Sequence, residues 1–589
     1  MYVRLVKVRS SSGTVNEYVR VVEAYRQDGK VKQRVVADLG RKDLLIEMLP
    51  KLQRLLRGDD NGNDNDVHGA IEPGDPEIVD ASTWGPVLAI RAVFDQLGLW
   101  SILDETLGHA KGIPFADRAF VLIANRIIAP SSEHGLAGWL ETDFVCDRQG
   151  RRFVPQWHQN NRVRVDFRQL ESWYRTLDQL HKAKDRIEVA LYHRLRDLFS
   201  IKPELVLYDI TSTYFEGAGP EGFAKHGYSR DGKPHNVQVV VGVVMVAGWP
   251  IAHHVWEGNR LDHTTVQEVV ADLRTRFSFG RVVFVGDRGM VTDENLESFT
   301  KDGQGYLVGV KRRRNAELDA LLDTVDESKW IDCPTGVTAR ERKKNPPRTR
   351  AQEVATNDPA MRVIVIDSDE RREYEQAMRE KSMERARAKL QKLKERVASG
   401  SLKKPEKIGA AAERIMQRYH GYRYFEWSLR AGAFEFGESE KHLSREKKIE
   451  GKYVIMTGEK NLGVLDAVAI YKDLSEVERG FRRLKDVLAM RPIYHQVKHR
   501  VKAHIFVAAL ALLVQRFLER RLKGAGLDLS PERAMQALST LRSVTFQWDG
   551  QPARRGVSGG CPDARKVLKA MGIVETRPPS PPAGQETVM

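Results

Sequence analysis

The chain has 589 residues, which exceeds the size of one hydrophobic core and predicts two to four domains. Hydrophobic residues make up 41% and charged residues 30%, a balance that excludes wholesale disorder. Lys and Arg number 95 against 80 for Asp and Glu, a formal charge of +15 that suits a polyanionic partner. Composition alone leaves nucleic acid, a membrane surface and simple solubility open.

The cysteines and the apolar runs narrow the cellular setting. Cys146, Cys333 and Cys561 are far apart and lack the close Cys or His pairing of a zinc site, which indicates a reducing cytosol. The N-terminus has no long apolar core of a signal peptide, and the longest apolar run, 505–514, is about half a bilayer span. We therefore expect a buried helix there and a cytoplasmic protein with no membrane partner.

The first 200 residues contain two kinds of periodicity. Residues 1 to about 45 alternate apolar and polar side chains between SSSG and QDGK turns, which predicts antiparallel strands in a small β-rich domain over 1–56. The segment RGDDNGNDNDVHG predicts a linker over 57–84. From 85 to 200 apolar residues recur every three to four positions, which predicts an all-α domain. Such a domain can contain a helix-turn-helix for DNA ends, although this periodicity more often reflects core packing.

The next region changes its period. Residues 201–310 contain strand-like runs such as ELVLYDI, NVQVVVGVVMV and RVVFVGD, with helical segments between them. The predicted order is β-β-β-α-β-α-β. This is the order of a ribonuclease H-like fold, so we expect an α/β catalytic domain whose first part spans 201–310.

A charged stretch interrupts that domain. Residues 311–455 include KRRR at 311–314, RERKKNPPRTR at 340–350, a helix-prone segment and the strand-like YRYFEWSLRAGAFEF. A helical pattern resumes at about 464 and runs to roughly 523, which predicts the second part of the catalytic domain over 456–530. The C-terminal region, 531–589, ends in TRPPSPPAGQETVM, which we expect to be disordered.

Two aspartates follow apolar strands. Asp209 comes after LVLY and Asp287 after VVFVG, so each is predicted at the carboxyl end of a strand, where open α/β sheets bind ligands. If the two strands are neighbours, the carboxylates can share a divalent cation. For either Asp alone, a turn or a helix N-cap is the commoner explanation.

The segment 471–495 predicts an amphipathic helix. At 3.6 residues per turn, Tyr471, Leu474, Glu478 and Lys485 fall within an arc of roughly 60°. Without further information an ordinary surface helix explains this pattern, because a Glu to Lys spacing of seven does not form a local pair. Beside this face runs an apolar stripe of Val477, Phe481, Leu484 and Leu488.

These residues resemble the DDE transposases of the insertion-sequence-four superfamily, whose signature is Tyr-x2-Arg-x3-Glu-x6-Lys. Tyr471, Glu478 and Lys485 match that spacing, and Leu474 occupies the Arg position, so a DNA-phosphate contact of that Arg does not carry over. The blocks YDITSTYFEG, HGYSRDGKPHNVQVVVG, EGNRLDH, VFVGDRGM and RPIYHQVKHRVKAH resemble the insertion-sequence-1634 group. The resemblance spans residues 1 to about 530.

The resemblance implies a metal-dependent active site. Asp209, Asp287 and Glu478 would hold two Mg²⁺ ions, which Mn²⁺ can replace, for in-line phosphodiester displacement. Tyr471 and Lys485 would hold terminal phosphates, where a half-buried Tyr and a solvated Lys are the ordinary alternatives. Further candidates for DNA contacts are Arg482, Lys311 and Arg312, and the 340–350 cluster.

The resemblance also implies a domain plan, and an aromatic residue and three histidines are further candidates for DNA contacts. The interruption at 311–455 would be a largely β insertion domain. Trp427 could stack on an unpaired base, although packing in a strand is the favoured explanation. The histidines near the acidic blocks, His226, His253 and His254, are expected to be structural or to face DNA.

The leading hypothesis is a transposase that binds the inverted-repeat ends of its element as a dimer in the bacterial nucleoid, cleaves the strands and joins the 3′ ends to target DNA. The alternatives are a ribonuclease H-like nuclease without strand transfer and a DNA-binding derivative that has lost catalysis. The intact carboxylates argue against the last of these.

Overall fold

The computed structural model describes most of the chain, in ranges separated by gaps. These ranges are residues 1–9, 15–27, 30–43, 45–46, 49, 76–110, 112–154, 167–201, 205–287, 289, 292–310, 316–334, 347–356, 361–548, 553–584 and 587–588. The chain forms two compact units, Met1–Asp75 and Pro76–Met589.

The first unit contains an antiparallel sheet in the order β1-β2-β3. Tyr2 pairs with Val22, and Tyr18 pairs with Arg41. The predicted antiparallel strands are confirmed, because alternating side chains suit a sheet with two different faces. The strands are β1 (Tyr2–Arg9), β2 (Val15–Gln27) and β3 (Lys30–Arg41).

The second unit begins with a strand inside the predicted linker. Residues 57–75 of that linker lie outside the described residues, but the apolar and polar residues of EIVDAST form β4, which pairs with a C-terminal strand. The linker prediction is therefore wrong for the residues of β4. The elements up to residue 199 are β4 (Glu77–Thr83), α1 (Gly85–Leu97), α2 (Leu99–Leu107), α3 (Phe115–Ile128), α4 (Leu136–Thr142), β5 (Arg152–Phe153) and α5 (Phe167–Phe199).

The predicted order β-β-β-α-β-α-β is confirmed. Unbroken apolar runs form strands whose side chains are buried on both faces, as in the completely buried strand Gln238–Val246. These elements are β6 (Leu205–Tyr214), β7 (Gln238–Val246), β8 (Trp249–Glu257), α6 (Val266–Phe277), β9 (Val283–Asp287), α7 (Asp293–Lys301) and β10 (Gly305–Gly309).

The interruption at 311–455 contains long helices. The expectation of a largely β insertion is wrong, because the charged sequence after residue 368 is rich in Ala, Glu, Lys and Arg, which favour helix. Its described elements, with the strand that follows them, are α8 (Ala316–Asp323), β11 (Ile331–Asp332), β12 (Thr349–Val354), β13 (Arg362–Ser368), α9 (Asp369–Ala398), α10 (Pro405–Arg418), β14 (Phe425–Arg430), β15 (Ala433–Glu438), α11 (Glu440–Ile449) and β16 (Lys452–Thr457).

The chain then returns to helices. The predicted helical pattern from 464 to 523 is confirmed with a break, since one π-helical turn follows α12 at Arg483–Val487 and irregular chain follows to residue 497. The remaining elements are α12 (Val464–Arg482), α13 (Lys498–Gly524), α14 (Pro531–Leu538), β17 (Arg542–Gln547), β18 (Arg554–Val557), α15 (Pro562–Ala570) and β19 (Thr587–Val588).

One large sheet organises the second unit. Among the described residues its order is β11-β12-β13-β16-β10-β9-β6-β7-β8, and only the pairs β10 with β9 and β9 with β6 are parallel. Strands β12 and β13, from the interruption, and β16, at its end, therefore extend the same sheet rather than forming a separate body. The helix α12 packs on β6, β9 and β10.

The helices of 85–200 share one continuous hydrophobic core with this sheet. They are thus part of the second unit, not a separate all-α domain. The apolar run predicted as a buried helix lies in α13, the helix with the length and composition to span a membrane among the described residues. Within its most apolar window 89% of the residues are buried inside the protein, which is typical of a core helix.

The Pro-rich C-terminus is packed rather than disordered. The indole of Trp84 donates a hydrogen bond to the carbonyl of Thr576 at 2.7 Å, and β19 pairs in parallel with β5. The prediction of a disordered tail is therefore wrong for residues 576–584 and for β19. Proline already restricts the unfolded chain, so holding this segment in place costs less conformational entropy than composition suggested.

Candidate active site

Asp209 lies in the middle of β6, not at its carboxyl end as predicted. Its neighbour Tyr208 points into the core, where its hydroxyl lies 2.9 Å from Thr265 Oγ1. The strand β6 pairs with β9 only as far as Leu207, opposite Val285, and then continues beside β7 alone. Asp209 therefore stands just past the point where the two parallel strands separate.

Asp287 occupies the equivalent place on β9. It is the last residue of that strand, two positions beyond Val285, and its carboxyl group is exposed. On its other side it is in register with Gly309, the last residue of β10. Two predicted acidic residues thus stand at one level on neighbouring parallel strands.

Glu478 comes from the helix that crosses these strands. The predicted apolar stripe of α12 is buried, from Val477 to Phe481, and continues through Leu484 to Leu488. Glu478 itself is exposed. The strip of apolar residues fixes the helix on the sheet, so the neighbouring face that carries Glu478 lies over the strands that carry Asp209 and Asp287.

The charges of these three carboxylates interact. Burial, and to a smaller extent the negative charges of Glu478 and Asp287, raise the pKa of Asp209 to about 7. The backbone N–H of Ile210, which donates to Asp209 Oδ1 at 2.7 Å, and the cation of Arg230 oppose it. We name Asp209, Asp287 and Glu478 the carboxylate trio.

Tyr471 lies at the same edge of the sheet. A Cβ atom on Gly309 would lie 2.2 Å from the Tyr471 hydroxyl, so the glycine leaves the space that this hydroxyl fills. Burial raises the pKa of Tyr471, and the charge of Asp287 raises it further. Its ring lies 6.0 Å from the ring of Tyr453 on β16. Tyr471 therefore fills the space beside Asp287 as a neutral, largely buried phenol.

The π-helical turn changes the position of Lys485. A straight α-helix would place Lys485 on the face of Glu478, whereas here it lies in the π turn and binds Asp231 Oδ1 at 2.6 Å. Arg491 binds the same oxygen at 2.6 Å. The side chain of Asp231 is 3% exposed and that of Lys485 is 10% exposed. Burial lowers the pKa of Lys485, and the ion pair opposes this effect.

Arg230 connects this ion-pair cluster to the trio. Its charge lowers the pKa of Asp209 and also that of Lys485, so it lies within electrostatic reach of both. Its guanidinium binds the carboxylate of Asp262 at 2.5 Å, and its backbone N–H donates to Ser212 Oγ at 3.0 Å. The interactions of Arg230, and the cluster formed by Asp231, were not predicted, although both lie in the block HGYSRDGKPHN.

The remaining predicted DNA contacts have different settings. Arg482 is exposed at the end of α12. Lys311 and Arg312 lie outside the described residues, as does most of the 340–350 cluster. Of its described arginines, Arg348 binds Asp332 at 2.9 Å and Arg350 binds Asp367 at 3.0 Å.

The aromatic and imidazole candidates have structural partners. The ring of Trp427 lies 5.7 Å from Phe434 in a small second core, which confirms the packing interpretation. His253 is buried against Glu188 at 2.9 Å, and burial lowers the pKa of His253 to about 4. His254 lies 3.3 Å from Asp272. His226 is exposed.

A second group of potential ligands lies away from the trio. Among the described residues, Glu133, His495 and His504 have ligand atoms within 4.8 Å of one another, a distance that the trio does not reach. The guanidinium of Arg126, however, donates to His504 Nδ1 at 3.0 Å, and His504 Nε2 lies 3.2 Å from the carbonyl of Met490. Both ring nitrogens of His504 are thus engaged, and the buried guanidinium of Arg126 brings a positive charge beside this group. We name these residues the buried cluster (Glu133, His495, His504 and Arg126).

The trio fits a divalent cation better. It offers carboxylate oxygens, the hard ligands that such ions prefer, and the buried Asp209 carboxyl accepts one short hydrogen bond from its own neighbour. A bound cation would relieve the repulsion that raises the pKa of Asp209.

Two regions of the chain match known protein families. Residues 202–514, more than half of the chain, match a family described as "Transposase DDE domain". Residues 3–67 match "IS1634 family transposase, N-terminal domain". The chain is a DDE transposase of the IS1634 group. No curated protein matches the chain.

The family assignment gives the trio its context. All three carboxylates of this transposase lie within the matched DDE domain, which implies use of a divalent metal. The N-terminal match falls within the first compact unit, so that unit is part of the transposase and not an accidental fusion.

Proposed function

We propose that this transposase binds the terminal inverted repeats of its insertion sequence, cleaves DNA strands and transfers their 3′ ends to target DNA. The observation that carries the proposal is the trio: Asp209 and Asp287 lie at one level on neighbouring parallel strands, and the helix that bears Glu478 packs on those strands. Burial, with the charges of Glu478 and Asp287, raises the pKa of Asp209 to about 7. An acidic site with this charge crowding, in a DDE domain, suits a cation and a phosphodiester.

The strand order supports a ribonuclease H-like catalytic core. The order β8-β7-β6-β9-β10 places three antiparallel strands beside two that run parallel to β6. Two of the trio stand on adjacent central strands, and the third comes from a later helix packed on them.

The proposed cofactor is Mg²⁺, which Mn²⁺ can replace, held by Asp209, Asp287 and Glu478. Two such ions would supply an activated water or 3′-hydroxyl and stabilise the leaving oxygen. The chain contributes the rest. Asp209 must lose its proton to act as a ligand, and its pKa of about 7 makes that loss sensitive to pH near neutrality. The helix α12 holds Glu478 over the strands that bear the two aspartates.

The proposed DNA contacts surround this site. The Tyr471 hydroxyl, beside Asp287, would donate to a terminal phosphate. Lys485 would add positive charge from its position on Asp231, and Arg482 is exposed to reach the backbone. Lys311 and Arg312 remain sequence-based members of this set. We further propose a homodimer on DNA in the bacterial cytoplasm, at the nucleoid.

The test uses purified protein, Mg²⁺ and a labelled duplex ending in the inverted repeat. Wild type is expected to give cut strands and, with a target plasmid, joined products. Asp287→Ala should give neither, while the matched variant Asp302→Ala, which changes an exposed residue at the end of α7, should behave as wild type.

Each outcome has a meaning. Cutting without joining would support a ribonuclease H-like nuclease instead. Metal-dependent cutting by Asp287→Ala at the wild-type rate would show that the proposed site is wrong.

A further inference from the structure

A helical arm extends from the large sheet and has its own small core. It consists of α9, α10 and the β14–β15 hairpin, whose buried residues form a hydrophobic cluster separate from the main core. A 30-residue helix such as α9 is about 45 Å long. The arm is therefore large compared with the carboxylate edge from which it starts.

The arm begins at the level of the active site. Through neighbouring strands, Ile364 on β13 is in register with Ile455, Ile455 with Gly309, and Gly309 with Asp287. The strand β13 runs in the same direction as β9 and ends at Ser368, four residues beyond Ile364. The first residues of α9 thus leave the sheet at the edge where Asp287 ends its strand.

Contacts tie the base of the arm to the candidate site. The guanidinium of Arg371, in the first turn of α9, lies 5.0 Å from the centre of the Tyr453 ring. That ring lies 6.0 Å from the ring of Tyr471, whose pKa is raised in part by the charge of Asp287. Packed aromatic side chains therefore connect the base of the arm to the trio.

One stripe of α9 carries a row of cations. Arg385, Lys389, Lys392 and Arg396 are spaced by four, three and four residues, so they lie on one side of the helix within an arc of about 60°. All four are exposed, and none has an ion-pair partner among the described residues. Acidic residues such as Glu384 and Glu395 lie on a different face.

The wider tip of the arm has the same sign. Between residues 385 and 407, nine residues are Lys or Arg and two are Glu. Toward the base, the same stripe continues with Tyr374 and Met378, whose exposed fractions are 67% and 47%. Exposed apolar groups leading into a cationic row are suited to a surface that packs against a sugar-phosphate backbone.

The row of like charges destabilises α9 as an isolated helix. Like charges three or four residues apart on a helix repel each other and destabilise the helix. Helix α9 carries three such pairs in succession, while its acidic residues point elsewhere. A polyanion on this stripe would remove the repulsion. The row covers about 16 Å along the helix, comparable with about five phosphates of one DNA strand.

We propose that the stripe of α9 binds the phosphate backbone of duplex DNA that continues from the carboxylate edge along the arm. The proposal rests on the proposed function, since it takes the DNA being cut as the partner. The contact is to phosphates and is therefore independent of base sequence. It extends the DNA footprint beyond the trio and gives the helical arm a role in holding the substrate.

The test measures DNA affinity against salt concentration. A variant with Arg385, Lys389, Lys392 and Arg396 each changed to Gln is compared with wild type on a fluorescent duplex, by anisotropy, in the full-length protein. Each lost phosphate contact should lower the slope of log K against log salt by about 0.9, so the expected decrease is about 3 to 4. Affinity at low salt should fall by more than tenfold.

A matched control removes the same charge elsewhere. Arg533, Arg554, Arg565 and Lys569 are exposed on the C-terminal elements, and changing all four to Gln should alter the slope by less than one contact. An equal decrease in both variants, or an unchanged slope in the stripe variant, would overturn the proposal. Thermal unfolding of both variants checks that the arm remains folded.

The same samples separate this proposal from the proposed function. Suppose that wild type cuts no DNA with Mg²⁺, and that the salt dependence of DNA affinity falls in the stripe variant but not in the control variant. The DNA-binding role of the arm is then supported and the cleavage proposal fails. If wild type cuts and the stripe variant binds with the wild-type slope, the cleavage proposal stands and the arm proposal fails.

Discussion

Two clusters of ionisable residues in this transposase have different composition and opposite electrostatics. In the buried cluster, interactions with His495, His504 and Arg126 hold the pKa of Glu133 at about 2 in spite of burial. In the carboxylate trio, burial and two further negative charges raise the pKa of Asp209 to about 7. The first cluster is satisfied by its own residues. The second is left with a repulsion that a ligand would relieve.

This contrast supports the proposal that the trio, rather than the buried cluster, holds the divalent metal. Among the described residues the buried cluster has the shortest ligand distances, yet both ring nitrogens of His504 have partners and Arg126 supplies positive charge. The trio has longer distances, and the Ile210 N–H and the charge of Arg230 only partly offset the rise in the pKa of Asp209. Ligand distance favours the buried cluster, whereas the direction of the pKa shifts supports the trio as the proposed metal site.

The largest expected effect is on Glu478. Changing Glu478→Gln removes one charge of the trio while keeping the shape, and should lower metal-dependent strand cleavage by about a thousandfold, a loss of about 4 kcal/mol in transition-state stabilisation. The rate is measured on a labelled end under single-turnover conditions. Glu476→Gln, on the same helix, is a less clean control because the half-buried Glu476 binds Arg516 at 2.7 Å. Asp473→Asn is the better one, with an expected change of less than twofold.

Removing the acid of the buried cluster should affect stability instead. Glu133→Ala leaves the guanidinium of Arg126 and the two imidazoles of that cluster without their carboxylate, and we expect a loss of about 3 kcal/mol in the free energy of unfolding. Denaturant unfolding with and without Mn²⁺ gives the measurement. The stabilisation by Mn²⁺ should be the same in wild type and variant. Loss of the Mn²⁺ effect in Glu133→Ala would instead assign the metal to this cluster.

The trio should give a pH dependence with a defined sign. Because the pKa of Asp209 is higher in the folded state than in the unfolded state, its contribution favours folding below about pH 4 and is lost as pH rises through about 7. At about 1.4 kcal/mol per pKa unit, wild type in EDTA should therefore lose about 4 kcal/mol relative to Asp209→Asn between pH 4 and 8. Urea unfolding at several pH values measures this difference.

The free energies of unfolding of wild type and Asp209→Asn are compared with each other because other groups also titrate between pH 4 and 8. Lowering of the His253 pKa to about 4 gives both proteins a change of opposite sign, which cancels in the difference. A difference that is constant with pH would contradict the charge crowding. Mg²⁺ added at pH 8 should stabilise wild type more than Asp209→Asn.

The sequence allowed the strands and the acidic helix to be predicted, because their patterns are local. Runs such as NVQVVVGVVMV predict buried strands wherever they pair, and the apolar stripe of α12 predicts which side of the helix is buried. Glu478 could therefore be placed beside that stripe. Its role came from the family resemblance, which the matched DDE domain supports.

Features that depend on distant contacts were predicted less well. Asp209 was expected to end its strand, but β7 continues to pair with β6 after β9 has separated. The π turn that moves Lys485 toward Asp231 has no local signal, since the partner lies 254 residues away. Likewise, no local pattern predicts that β16 lies in the middle of the sheet, since its place depends on its pairing with β10 and β13.

Asp231 offers the finest test of the contrast between satisfied and unsatisfied carboxylates. It is almost completely buried and binds both Lys485 and Arg491 through Oδ1, while its Oδ2 has no hydrogen-bond partner among the described residues. If it positions Lys485 for DNA, Asp231→Asn should reduce cleavage about tenfold at saturating DNA, because the Lys is held less well. Single-turnover rates and DNA affinity measured together identify which step changes.

The exposed Asp486 provides the matched control, since it binds the same Arg491 from the solvent side. An exposed ion pair contributes about 0 to 1 kcal/mol, so Asp486→Asn should change cleavage by no more than about fivefold and leave DNA affinity unaltered. The informative alternative is a gain of affinity in Asp231→Asn. Tighter binding would mean that Asp231 competes with phosphate for Lys485, so the buried carboxylate would restrain the site instead of positioning it.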